Sequence, residues 1–118
     1  MDAEELKQRC KQFALRVIRV VRALPDDRIG RPIANQLVRS GTSVAASYRA
    51  ACLGKSKRDF VHKIGTAMEE SDESALWLEL IIDDQILPAA RVRPLLDEAN
   101  ELTAIFHASI KTARSEDR

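Results

Sequence analysis

Asp59 and His62 stand three residues apart, a spacing that places both side chains on one face of a helix and could hold a metal ion. A two-metal site in a helical bundle needs two Glu-x-x-His pairs and two further inward glutamates. This chain contains no Glu-x-x-His at all. His107 has no acid at metal-ligand spacing, and both histidines read as polar-boundary residues. The cluster Glu69, Glu70, Asp72 and Glu73 lacks the glycine and the alternating ligands of a calcium loop. Gly54-Lys55-Ser56 lacks the upstream glycine of a phosphate-binding loop. Cys10 and Cys52 lie away from either histidine in sequence, so no nucleophile–base pair is visible. We therefore assign no catalytic residue, no metal site and no cofactor, and read the chain as a non-enzyme.

Binding chemistry is better represented. Arg49, Lys55, Lys57, Arg58 and Lys63 gather around one predicted turn, with Arg39 a few helical turns earlier, and Arg16 and Arg19 lie on the first helix. Cations on an accessible surface suffice for contact with RNA or DNA phosphates. The net charge is only +1, but it hides a segregation. Residues 1–63 hold fourteen Lys or Arg against six acids, whereas residues 64–90 hold seven acids and no base. That asymmetry has three readings: a nucleic-acid face, charge complementarity between subunits, or oppositely charged helices packed side by side. One Tyr and one Trp give base stacking little support.

The elements that position these residues are helices. Hydrophobic residues make up 45% and charged residues 31% of the 118 positions, with four Gly and four Pro, which suits one helical domain. No stretch approaches a membrane span. The acidic N-terminus lacks the pattern of a signal peptide, which points to a cytoplasmic protein with reduced thiols. The first helix is predicted over about 3–24, with a stripe of Leu6, Cys10, Phe13, Val17, Val20, Val21 and Leu24 and a capping box at Asp2 and Glu5. The second, about 32–53, begins at Pro32, runs through the small residues between Ser40 and Ser47, and stops at Gly54. Ser56 with Asp59 caps a third helix at about 57–86, whose stripe is Phe60, Ile64, Ala67, Met68, Ser71, Ala75, Leu78 and Ile82. Pro88 separates it from a fourth at about 91–113, and the terminal Ser-Glu-Asp-Arg is expected to fray. Short connections predict an all-α, antiparallel up-down-up-down four-helix bundle.

On the third helix, Leu76, Trp77 and Leu80 are predicted to project away from the core stripe, among Glu69, Glu73 and Asp84. An exposed apolar patch of this kind marks a partner surface, here a homo-oligomer interface.

The residues from Leu37 to Ile81 resemble a known family. Their R-S-G-T-S-V-A-A-S-Y-R-A-A helix, S-K-R-D-F start and E-E-S-D-E-S-A-L-W-L-E-L run are similar to the four-helix-bundle proteins named after intervening sequences in 23S ribosomal RNA. The resemblance implies an up-and-down bundle that assembles into a ring, usually a pentamer. It also implies kinship with the accessory proteins of diversity-generating retroelements, which are more basic and contact a reverse transcriptase and nucleic acid. The family commonly has Asn where this chain has Ser47.

Overall fold

The computed structural model describes residues 1–116 and contains four α-helices: α1 (Ala3–Ala23), α2 (Gly30–Cys52), α3 (Lys57–Asp83) and α4 (Ala89–Ser115). Each helix packs on its neighbours in chain order, and α1 closes the ring against α4 over the smallest of the four interfaces. Contacts across neighbouring helices run in opposite sequence directions. Lys57 meets Glu116 and Ser71 meets Thr103 across α3 and α4, while Arg9 meets Glu98 across α1 and α4. The result is an antiparallel four-helix bundle 50 Å long and about 20 Å across.

The core fills the axis of the bundle. Phe13, Val17, Leu37, Val44, Ile64, Leu78, Ile81, Val92, Leu102 and Phe106 are fully buried, and the Tyr48 ring stacks on Phe106 at 5.9 Å. The α2–α3 seam is made of small residues whose hydroxyls pair in the interior. Ser40 and Ser74 share a hydrogen bond of 2.8 Å, and Ser71 and Thr103 share one of 2.7 Å across α3 and α4. In each pair one hydroxyl donates to the other, which in turn donates to a carbonyl three or four residues back on its own helix. Among the described residues, no buried side-chain polar atom lacks a partner.

The helix ends show where the pattern in the sequence needed correction. Asp2 and Ser56 cap α1 and α3 as expected, accepting from the Glu5 and Asp59 amides at 2.8 and 3.0 Å. The second helix starts at Gly30, ahead of Pro32, because the Asp27 carboxylate accepts from the Ile29 and Gly30 amides at 3.0 and 2.7 Å. Pro32 still lies in the first turn, where its missing N–H does no harm. The third helix ends at Asp83 rather than near Ile86. Gln85 takes the left-handed conformation at φ 56°, and the Gln85 and Ile86 amides reach back to the carbonyls of Ile82 and Ile81 at 3.0 and 2.9 Å. That is the paired reverse hydrogen bonding of a Schellman stop, built here without glycine. Of the expected frayed end, Ser115 closes α4 and Glu116 caps it, while Asp117 and Arg118 lie outside the described residues.

One buried-side ion pair ties the weak α1–α4 interface. Arg9 donates to both oxygens of Glu98 at 2.8 and 2.7 Å, and its Nη2 lies 2.9 Å from Glu101. Glu98 is only 14% exposed, so the pair is well shielded from solvent. Arg9→Ala should lower unfolding stability in urea by about 1–3 kcal/mol, since it leaves that carboxylate unpaired. A loss under about 0.5 kcal/mol would place the pair with ordinary surface bridges.

Candidate interaction surfaces

The third helix presents two different apolar features. Leu76 and Leu80 are 47% and 40% exposed, on the side of α3 facing away from the core. Trp77 does not share that face. It is half-buried, packs against the core, and its indole N–H donates to Glu73 Oε2 at 3.1 Å. The reason lies in the width of the buried arc. Because α3 packs on both α2 and α4, its core face includes Ser74 and Ile81, which the predicted stripe omitted. Trp77 is four residues before Ile81 and three after Ser74, so it rides on the α2 flank of that arc.

The apolar surface around Leu80 extends beyond the third helix. Ile29, Ile33, Leu80 and Ile86 line a groove of about 650 Å³ rimmed by Asp83 and Asp84. Ile29 is 57% exposed, although it sits in the α1–α2 connection. Helical periodicity cannot report a loop residue. The turns at Asp27 and Gln85 bring Ile29 and Ile86 to the same end of the bundle. A second groove lies between α1 and α2, about 560 Å³, with Ala14, Leu15, Ala45, Ala46, Ala50 and Leu53 as its apolar wall. Lys11 and Arg49 flank it, and Leu53 is 78% exposed.

The eight basic residues do not form one face. Arg39 bridges Glu70 at 3.2 Å and Glu73, and donates to Gln36 Oε1 on its own helix, so it serves as a strap between α2 and α3. For Arg39 the charge segregation is therefore the packing of oppositely charged helices. Lys63 pairs with Asp59 at 3.0 Å, and its ammonium is the main cause holding the Asp59 carboxyl below its usual range. Lys57 reaches Glu116 at 3.7 Å. Among the described residues, no acid lies within ion-pair distance of Arg49, Lys55 or Arg58 at the α2–α3 turn. The same holds for Arg16 and Arg19 on α1.

Of the residues weighed for metal chemistry, Asp59 accepts from the Lys63 ammonium and the Lys55 amide. His62 and His107 both line a groove of about 740 Å³ between α3 and α4, together with Glu69, Lys111 and Arg114. Yet no three His, Cys, Asp or Glu among the described residues converge as a metal site. Both cysteines are free thiols. Burial pushes the Cys10 thiol up to about 12, which leaves almost no thiolate at neutral pH. No helix is long and apolar enough, among the described residues, to cross a membrane.

A family model for the 23S rRNA-intervening sequence protein matches residues 3–108, which span all of α1, α2 and α3 and most of α4. The chain belongs to that family. Its fold agrees with a crystal structure from Bacteroides thetaiotaomicron, described as a protein of unknown function from the S23 ribosomal protein family. The two superpose with a TM-score of 0.83 at 28% identity, over 89% of this chain and 97% of the other. Among curated proteins nothing matches. The family description names no reaction, and the solved relative is itself of unknown function.

Proposed function

We propose that this member of the 23S rRNA-intervening sequence protein family is a non-enzymatic, cytoplasmic, self-associating bundle that acts as a scaffold or adaptor. The observation that carries this reading is the apolar surface of Leu76, Leu80 and Ile29, exposed in the single chain, with the half-buried Ile33 and Ile86 beside Leu80 and Asp83 and Asp84 at the rim. An isolated bundle gains nothing by exposing leucines among carboxylates; a partner that buries them does. The α1–α2 groove has the complementary character, apolar within and flanked by Lys11 and Arg49. Two unlike patches on one chain make a head-to-tail contact, which closes into a ring when the rotation allows. Five subunits is the number implied by the family resemblance, and it is part of the proposal.

Leu76→Glu combined with Leu80→Glu tests the reading more cleanly than a change at Trp77, which is also part of the monomer's packing. Light scattering should show the double variant at monomer mass while the circular dichroism of the helices is kept. A variant whose mass equals that of the parent would remove the α3 surface from the interface.

A second reading, binding of RNA or DNA, rests on the cations without acidic partners: Arg16, Arg19, Arg49, Lys55 and Arg58. Arg39, Lys57 and Lys63 contribute less to it, because their charges are partly met by acids.

A further inference from the structure

Three guanidinium groups from two helices surround one hollow. Arg16 and Arg19 on α1 and Arg91 on α4 line a depression of about 250 Å³, whose remaining wall is Val20 and Leu95. The wall is rigid, since Val20 and Leu95 are 7% and 3% exposed and belong to the core. Among the described residues, none of the three arginines has an acid within ion-pair distance. The contrast along the same α1–α4 seam is sharp. Nearer the start of α1, Arg9 is matched by Glu98 and Glu101; further along, three arginines line one hollow and no carboxylate is part of its lining.

Such an arrangement is unfavourable for the empty protein. Like charges gathered at one place repel, and Arg91 adds to this by standing in the first turn of α4, where the helix dipole is already positive and no acid is present. A doubly charged oxyanion reverses the sign of each of these effects. Guanidinium forks supply paired N–H donors that match phosphate oxygens, and three forks on two rigid helices can grip one group from several sides.

From this we infer that the Arg16–Arg19–Arg91 hollow is a binding site for a phosphate group. It is a discrete site that joins α1 to α4, and it includes Arg91, which the basic cluster of the sequence does not. It stands independently of the self-association surface, because it shares no residue with that surface. The phosphate has two sources, a free anion or the phosphodiester of an RNA backbone, and the experiment separates them.

Full-length protein is titrated with inorganic phosphate and, separately, with a short labelled oligouridylate, at low ionic strength. The parent is compared with Arg16→Gln, Arg91→Gln and, as a control near the far end of α4, Lys111→Gln. We expect Arg16→Gln and Arg91→Gln each to weaken binding by about tenfold, with Lys111→Gln close to the parent. If inorganic phosphate is the ligand that responds, the site takes a free anion, and phosphate should also raise the thermal midpoint of the parent but not of the two variants. If only the oligouridylate responds, the hollow is a backbone-phosphate contact. Absence of binding by both ligands overturns the site, and so does equal binding by the parent and all three variants.

Discussion

Phe106→Ala should lower the free energy of unfolding by about 3–5 kcal/mol, which is the range for emptying the space of a fully buried aromatic ring. Phe106 on α4 is completely enclosed, and the Tyr48 ring from α2 stacks on it across the bundle axis. Since α2 and α4 are not sequence neighbours in the ring of helices, this stack is a direct tie across the diagonal. Loss of the ring leaves Tyr48, itself 5% exposed, facing a void it cannot fill without leaving its rotamer. Urea unfolding at unchanged slope measures the effect. A loss under about 1.5 kcal/mol would mean that the core collapses around the gap and is less tightly packed than described.

The second large effect turns on a glycine. A Cβ placed on Gly41 would stand 2.7 and 2.8 Å from the two methyl carbons of Val17, closer than carbon atoms tolerate. Gly41 is therefore where α2 comes down on α1. Two terms oppose each other in Gly41→Ala. Alanine is the better helix former by about 1 kcal/mol. Overpacking against a fully buried, β-branched and stiff Val17 costs about 1–3 kcal/mol. The clash wins, and the variant should be destabilised. Two companions make the prediction specific. Gly65→Ala meets nothing within 4 Å, so it keeps only the propensity gain and should stabilise by about 0.5–1 kcal/mol. In a Val17→Ala background, Gly41→Ala should lose most of its penalty, a coupling that a double-mutant cycle reads directly. Equal effects of Gly41→Ala in both backgrounds would contradict the close approach.

Much of the fold could be read from residue spacing, and the exceptions have local causes. The α1 stripe from Leu6 to Leu24 and the caps at Asp2 and Ser56 were visible because they depend only on helical period and on side chains three residues apart. The start of α2 was misplaced because Pro32 is the louder signal, while the actual cap is the Asp27 side chain. The end of α3 was misplaced because the left-handed stop is carried by Gln85, a residue type with no bias toward it. The surfaces divide in the same way. The exposure of Leu76 and Leu80 followed from the phase of one helix. Trp77 was misread because that phase alone does not reveal how wide an arc two neighbours cover. Ile29 and Arg91 were missed because they join their grooves only through the way helices meet, Ile29 at the bundle end and Arg91 across the α1–α4 seam. The strap from Arg39 to Glu70 and Glu73 shows the converse, a residue chosen for binding that the fold uses internally.

The native mass of the unmodified protein, taken by sedimentation across a concentration series at moderate salt, tests the central claim most directly. Self-association predicts a species at a whole multiple of 13.2 kDa, five-fold if the ring has the implied size. A single species of 13.2 kDa at every concentration would contradict it.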